Sequence, residues 1–143
     1  MVWPTNSSQV QKCLKFANDH NICVMVASTG HEILNRHSCK DGILIKTTLI
    51  KGIEWDLSDK KGFGHPQGNV KFGAGIVFSE AHSSAANNNR VISSGWASTV
   101  GVVGWSIGGG FGPFAPSFGL GADNILEADI IIANGTELTV NAQ

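Results

Sequence analysis

A short loop of small and polar residues carries the side chains of this chain that are best suited to bind or react with a ligand. Residues 28–32 read Ser-Thr-Gly-His-Glu and directly follow an apolar run, 22–27, that is rich in β-branched residues. The hydroxyls of Ser28 and Thr29 can donate hydrogen bonds, and Gly30 admits a ligand close to the backbone. His31 is the one residue of this loop with nucleophilic or acid–base capacity. Taken alone, the pattern leaves open whether His31 meets a ligand or is an ordinary hydrogen-bonding loop residue.

A second stretch, residues 95–121, contains nine glycines and no charged residue. Because glycine lacks a Cβ, such a backbone can adopt positive φ, and its N–H groups can form anion-binding concavities. A mobile linker is the alternative. Linkers are polar, however, whereas this stretch carries Trp96, Trp105, Phe111 and other apolar residues that we expect to be buried. We therefore predict that a bound cofactor lies along this backbone.

The hydrophobic pattern predicts the elements that position the first loop. Apolar residues at helical spacing predict a helix within 4–21, with Ser8 and Gln11 as its capping box. The runs 22–27 and 43–45 predict buried strands. A strand, a helix and a buried strand in succession indicate a small βαβ unit. Small hydroxyl residues at the carboxyl end of a strand stand where α/β sheets place their ligands.

The later pattern predicts further elements around the glycine-rich stretch. Strands are expected within 49–56, 70–75 and 128–133, and residues 58–68 form a polar surface loop. A helix begins near Phe78 and ends at three consecutive asparagines, 87–89. Asn134-Gly135 predicts a hairpin with a two-residue type I′ turn.

Composition narrows the class of protein. The 143 residues are one domain or part of one, and 42% hydrophobic against 15% charged residues indicates a folded chain. A net charge of −1 argues against nucleic acid as a partner. The chain has no apolar run of about 18 residues, which argues against a membrane span. Since lysines and arginines are scattered, backbone N–H groups must hold any bound phosphate.

Cysteines and histidines show no metal-ligand spacing, so we predict no metal site. The three cysteines, Cys13, Cys23 and Cys39, allow one disulfide, and reduced thiols are the alternative. Two glycosylation sequons begin at Asn6 and Asn134, and they matter only in a secreted protein. No signal-peptide pattern follows Met1, but the compartment stays open, because the start of a longer parent chain could be missing.

With both loops in view, the sequence resembles the PCMH-type FAD-binding domain of the vanillyl-alcohol oxidase superfamily, and most of all its berberine-bridge-enzyme-like and sugar-oxidase branch. The matching motifs are residues 24–31, 98–112, 119–127 and the final Ile-Ile-Ala-Asn-Gly hairpin. The resemblance implies an α+β fold of two subdomains, a small βαβ unit at about 1–50 and a second mixed sheet at about 51–143, with FAD between them.

The resemblance also implies roles for individual residues. The loop from Ser28 to Glu32 would hold the FAD pyrophosphate, and His31 would be joined covalently to the 8α carbon of the isoalloxazine. The second stretch would follow the flavin and the diphosphate through backbone contacts, and a late strand would lie against the adenine. The cofactor residues assigned in this second group are Gly95, Ser98, Thr99, Gly101, Gly104, Gly108, Gly109, Gly110, Gly112 and Ile130.

Four positions depart from the family pattern. Ala97 stands where some members carry a cysteine that forms a second flavin link, so at most one link is expected. Ala27 stands where arginine is frequent, which removes a phosphate contact. Asn35 replaces a common glycine, and Phe111 replaces a common histidine or tyrosine.

For function, the resemblance implies an FAD-dependent oxidoreductase that oxidises an alcohol-type carbon, such as that of a sugar or an alkaloid-like compound, by hydride transfer to flavin N5. From the resemblance, we expect the domain to be incomplete at its C-terminus and to lack the family's substrate domain, which usually supplies the catalytic base. We therefore expect little turnover from this chain alone, and no catalytic residue is assigned. Two alternatives stay open: a non-catalytic flavin-binding remnant or gene fragment, and a flavin reductase that uses NAD(P)H.

Overall fold

The computed structural model describes residues 1–141, and they divide into two compact units. One unit consists of Met1–Ile50 together with the C-terminal hairpin, and the other is Lys51–Leu126. The boundary near residue 50 coincides with the one expected from the sequence, but the hairpin joins the first unit instead of the second. The reason is its contact with the first helix, where Gln11 Nε2 donates to Gly135 O at 2.7 Å and Asn18 Nδ2 donates to Ala133 O at 2.8 Å.

The first helix, α1, spans Ser7–Asp19 and begins at an asparagine cap. Asn6 is extended, and its Oδ1 accepts a hydrogen bond from Gln9 N at 3.0 Å. The Gln9 side chain reaches back and accepts from Thr5 N at 2.8 Å. The capping box predicted at Ser8 and Gln11 is therefore wrong by two residues, since Asn6 satisfies the first free N–H groups before Ser8 is reached.

A parallel pair of strands forms the base of the first unit. Strand β1 (Val24–Ala27) pairs with β2 (Ile43–Lys46), so that Ala27 lies opposite Lys46 at their carboxyl ends. Val2 makes a parallel bridge to Ile45 on the other edge of β2. The βαβ unit is thus confirmed, with β2 between the first extended residues and β1. Ile45 in this central position is fully buried.

The hairpin of the first unit contains β3 (Glu127–Ile131) and β4 (Glu137–Asn141), which are antiparallel. Its turn has three residues, because Gly135 N donates to Ile132 O at 2.8 Å and Ile132 N donates to Thr136 O at 3.0 Å. Only Gly135 among the turn residues has positive φ, +85°. The predicted two-residue type I′ turn is therefore wrong, since that turn needs positive φ at both central residues.

The second unit contains one antiparallel pair of strands and three helices. Strands β5 (Ile53–Asp56) and β6 (Asn69–Phe72) pair with each other, and Val77 bridges Gly101. This pairing is smaller than the expected mixed sheet, because the last two strands of the chain belong to the first unit. The helices are α2 (Phe78–Asn87), α3 (Val102–Ile107) and α4 (Ala115–Phe118). Two 3-10 turns, Thr47–Leu49 and Ala122–Asn124, complete the chain's regular elements.

The core of the second unit lies between α2 and α3 and consists of Ile76, Phe78, Ala81 and Val102. As predicted, the asparagine run ends α2: Asn88 caps it, and Asn89 has φ +52°. Within residues 1–141, no helix is long and apolar enough to cross a membrane.

Candidate cofactor-binding site

The loop that follows β1 begins at the carboxyl end of the parallel pair. Gly30 has φ +89°, a conformation that residues with a side chain rarely adopt. The Lys46 ammonium lies 3.7 Å from the point where a Cβ on Gly30 would stand. The structure therefore brings a cation from the end of β2 to the glycine turn after β1, where an anionic group would meet both a bare backbone and a positive charge.

Exposure changes along the first four residues of this loop. Ser28 and Thr29 are partly buried, whereas Gly30 and His31 are exposed. The imidazole of His31 is thus accessible from solvent beside the turn. The structure places Ser28, Thr29, Gly30 and His31 together in one loop, as the sequence predicted.

The sequence patterns did not single out Lys46 as a residue near this loop. The signal was available, because the carboxyl ends of neighbouring parallel strands lie at the same edge of a sheet. Lys46 ends β2 as Ala27 ends β1, and the two residues are register partners.

The carboxylate of Glu32 stabilises the conformation of the loop by accepting hydrogen bonds. Its oxygens accept hydrogen bonds from Leu34 N at 2.8 Å, Arg36 N at 2.8 Å and Arg36 Nε at 3.1 Å. Partial desolvation alone would raise the pKa of Glu32, but these hydrogen bonds outweigh it and hold the pKa below its ordinary value. A carboxylate engaged in this way shapes the loop, and its charge opposes direct contact with a phosphate. Its predicted place among the cofactor-binding residues stays a prediction.

The imidazole of His37 faces the Glu32 carboxylate. His37 Nδ1 lies 3.5 Å from Glu32 Oε2, and this buried nitrogen makes no hydrogen bond within the described chain. His37 therefore sits against the inner side of the loop, while His31 is on the exposed side.

In the glycine-rich stretch, several glycines are required by packing around one indole. A Cβ on Gly95 would lie 3.0 Å from Trp105 Nε1, and a Cβ on Gly110 would lie 3.0 Å from Trp105 Cζ3 and 2.6 Å from Gly121 Cα. A Cβ on Gly112 would overlap the carbonyl oxygen of Ser94. Gly95, Gly110 and Gly112 are buried. Their lack of a side chain is explained by this packing, and a contact of their backbone with the cofactor stays a prediction.

The indole of Trp105 is fixed from three sides. Its Nε1 donates to Phe111 O at 3.1 Å, and its ring meets the fully buried Phe78 edge-on, with centroids 5.1 Å apart. A backbone hydrogen bond from Gly121 N to Gly110 O at 2.8 Å closes the loop over the indole. The linker alternative is therefore wrong, because the stretch is folded around a half-buried tryptophan.

Two other glycines of the stretch, Gly104 and Gly109, face open space. Beyond the chain neighbours and the backbone of α3 itself, no described atom lies within 4 Å of a Cβ placed on either, whereas a Cβ on Gly108 would lie 3.2 Å from Gly104 O. Gly109 has φ +104°. Ser98 and Thr99 are exposed, and Gly101 is buried at the start of α3. The open positions are the ones where a ligand can approach the backbone.

Some apolar residues of this stretch are exposed, which corrects the expectation that they are buried. Trp96 is 67% exposed, Phe111 is 65% exposed, and their rings pack on each other with centroids 5.4 Å apart. Ile107 is 74% exposed. The reason is that α3 has only six residues and buries one face, through Val102 and Trp105. Ile130, in β3 of the other unit, is 38% exposed, and its predicted contact with adenine stays a prediction.

Candidate metal ligands and two surface depressions are the other features to compare with these loops. No group of His, Cys, Asp and Glu among residues 1–141 is arranged to hold a metal ion. Two shallow apolar depressions beside α1, of about 290 and 320 Å³, are lined by residues such as Val2 and Cys13 and include none of the predicted cofactor residues.

Comparison with known proteins assigns the chain to a family. The model of the FAD binding domain family matches residues 1–141. The FAD-linked oxidoreductase malF of Malbranchea aurantiaca is 34% identical over 142 residues, which are 95% of this chain and 24% of that protein. The VAO-type flavoprotein oxidase VAO615 of Thermothelomyces thermophilus is 32% identical over 94% of this chain and 23% of that protein.

Solved structures agree with this assignment. The VAO-type flavoprotein MtVAO615 from Myceliophthora thermophila superposes with a TM-score of 0.91 at 31% identity, over 96% of this chain and 25% of that chain. The BBE-like 1 protein of Physcomitrella patens superposes with a TM-score of 0.88 at 30% identity, over 99% of this chain and 30% of that chain.

The chain belongs to the FAD-binding domain family, and its fold is the PCMH-type α+β fold of VAO-type and BBE-like flavoproteins. The resemblance seen in the two loops is thereby confirmed, as is FAD as the cofactor. The chain spans about a quarter of the length of the curated relatives that it matches.

Proposed function

We propose that this chain is the cofactor-holding part of an FAD-linked oxidoreductase that oxidises an alcohol-type carbon centre. The observation that carries the proposal is the arrangement at the carboxyl ends of β1 and β2, where the Gly30 turn, the Lys46 ammonium and the exposed His31 lie together. The names of the relatives, FAD-linked oxidoreductase and VAO-type flavoprotein oxidase, support the class of reaction.

The loop and Lys46 fit a pyrophosphate. A diphosphate is anionic at neutral pH, and it gains from a nearby ammonium and from N–H groups of a glycine turn that no side chain covers. Ser28 and Thr29 add hydroxyl groups at the start of the same loop. Glu32 acts as a positioning residue that keeps the turn in shape through Leu34 and Arg36.

His31 is the proposed site of a covalent bond between an imidazole nitrogen and the 8α carbon of FAD. The structure supports this role by exposing His31 beside the Gly30 turn. A covalent bond prevents loss of the cofactor, and Ala97 offers no thiol for a second one. One link is therefore the maximum for this chain.

The glycine-rich stretch is the proposed second contact with the cofactor. FAD would approach the backbone at Gly104, Gly108 and Gly109 and meet the exposed Ser98 and Thr99; the space beside Gly104 and Gly109 is open beyond the local backbone. Gly95, Gly101, Gly110 and Gly112 support this surface from within, and Ile130 is the proposed contact with adenine.

Bound FAD supplies the acceptor for the substrate's hydride at N5. The residues of this chain bind and orient FAD. We propose that substrate contacts and the catalytic base come from the rest of the protein, so that the chain alone has little turnover.

The proposal is tested by isolating the chain and adding FAD. We expect the flavin absorbance bands to appear and to stay with the protein after acid precipitation. His31→Ala should still bind FAD but release it on precipitation. His65→Ala is the matched control, because His65 is an exposed histidine of the surface loop 58–68, and it should behave like the parent chain.

Three results would redirect the proposal. A folded chain that stays colourless with excess FAD would indicate a non-catalytic remnant. Colour that resists precipitation in His31→Ala would remove the covalent role of His31. Reduction of the bound flavin by NADPH without any other substrate would favour a reductase.

A further inference from the structure

We propose that Cys23 and Cys39 form an oxidisable dithiol that closes into a disulfide at the base of the loop carrying residues 28–32. This inference concerns the two thiols themselves and does not rest on the proposed function. It adds a modification site to the first unit.

Two backbone features bring the thiols together. Ile43 N donates to Cys23 O at 2.8 Å, so the residue before β1 lies next to the residue before β2. Lys40 and Asp41 form a turn, with φ +57° at Asp41, that returns the chain from Cys39 towards β2.

Gly42 makes room for one of the sulfurs. A Cβ on Gly42 would overlap Cys39 Sγ and would lie 2.7 Å from Cys23 O. The Cys39 sulfur therefore occupies the space of a missing side chain, directly beside the backbone of Cys23. Interaction with the Cys23 side chain raises the pKa of the Cys39 thiol, in keeping with two neighbouring sulfurs.

The two thiols differ in exposure, which gives them different roles. Cys23 is exposed, whereas Cys39 is partly buried. The interaction with Cys23, then burial and the negative charge of Asp41, raise the pKa of Cys39. Cys23 is thus the sulfur that first meets an oxidant, and Cys39 is the partner that resolves the product.

Hydrogen peroxide is a sufficient oxidant. The Cys23 thiolate attacks one peroxide oxygen, the O–O bond breaks, and protonation of the leaving oxygen yields a sulfenic acid and water. The Cys39 sulfur then attacks the Cys23 sulfur, the S–O bond breaks, and a second water leaves as the S–S bond forms. In total, two thiols and one peroxide give one disulfide and two waters.

The bond would close a ring around residues 24–38. Cross-linking of this kind removes conformational entropy from the unfolded chain, and it ties both ends of the loop to the start of the parallel pair. A thiol that reduces the disulfide would release the same constraint.

Peptide mapping tests the inference sharply, because trypsin places each cysteine in a different peptide. Cys13 falls in residues 13–15, Cys23 in 16–36 and Cys39 in 37–40. After treatment of the folded 143-residue chain with hydrogen peroxide, we expect peptide 16–36 to be linked to 37–40 with the loss of two hydrogen atoms. Peptide 13–15 should stay fully alkylatable, and dithiothreitol should undo the link.

Matched variants complete the test. Cys13→Ser should keep the link, whereas Cys23→Ser and Cys39→Ser should abolish it. Oxidation should raise the midpoint of thermal unfolding of the parent chain by a few degrees and leave that of Cys39→Ser unchanged. Recovery of Cys23 as a sulfinic acid beside an alkylated Cys39, or a link that involves Cys13, would overturn the inference. The mapping needs no FAD, so it is independent of whether the cofactor site is correct.

Discussion

Ala27 and Lys46 are register partners at the carboxyl ends of two parallel strands, and only Lys46 carries a charge to the Gly30 turn. Ala27 stands where an arginine is frequent in the family that the sequence resembles. The structure places the Lys46 ammonium on the neighbouring strand, at the same edge of the sheet. Among the described residues, Lys46 forms no ion pair with a carboxylate, so its charge is available to an anion.

The first prediction concerns Lys46. Lys46→Gln should weaken FAD binding by about tenfold, because a charge-assisted hydrogen bond to a phosphate contributes about 1.5–3 kcal/mol and part of this is screened at a half-buried position. Fluorescence titration of the chain with FAD measures the change. Riboflavin, which lacks phosphate, should bind both forms equally.

Lys12→Gln is the matched control, since Lys12 is an exposed lysine on α1 and its loss changes the net charge equally. It should bind FAD as the parent chain does. An equal loss of affinity for FAD in both variants would mean that only net charge matters, and Lys46 would lose its proposed role.

The second prediction concerns pH and Glu32. The pKa of Glu32 is lowered from an ordinary value of 4.5, so its hydrogen bonds stabilise the loop above pH 4.5 and are lost as the pH falls through the lowered pKa. We expect the amides of Leu34 and Arg36 to be protected from hydrogen exchange above pH 4.5. They should lose this protection as the pH falls through the lowered pKa of Glu32.

Glu32→Ala should remove this protection at every pH and weaken FAD binding several-fold, while the rest of the chain keeps its protection. Glu54→Ala, which removes an exposed carboxylate from β5, is the control and should leave the loop amides unchanged. If Glu32→Ala left both amides protected, the carboxylate would not be what shapes the loop.

The third prediction distinguishes glycines whose side-chain space is occupied by neighbouring atoms from glycines that face open space. Gly112→Ala should destabilise the chain by about 1–3 kcal/mol, because the new Cβ overlaps Ser94 O in a filled interior. Gly104→Ala should stabilise it by about 0.5–1 kcal/mol, because its position is helical and surrounded by open space. Urea unfolding measures both changes.

FAD titration of Gly104→Ala then tests the second contact. If the cofactor approaches the α3 backbone at Gly104, the variant should bind FAD more weakly although it is more stable. Unchanged affinity would remove Gly104 from the site, and equal stability of the two variants would contradict the division of glycines.

Local patterns predicted the elements well where local interactions decide them. The parallel strands, α2 and its asparagine stop were recognisable because apolar runs and helix terminators act over a few residues. The cap of α1 and the turn at Gly135 were misplaced, because neighbouring side chains offered two similar solutions. Asn6 was preferred over Ser8, and a three-residue turn over a two-residue one.

The sequence by itself determined the family, the cofactor and the loop with His31, since these depend on residue types in a fixed order along the chain. The tertiary structure decided at which glycines the Trp105 indole occupies the space of a side chain. It also decided that Lys46 reaches the Gly30 turn and that Gln11 binds the hairpin at Gly135. Each of these is a contact between residues distant in sequence. Such contacts depend on how strands and helices pack in three dimensions, and the pattern of a single segment taken alone does not encode them.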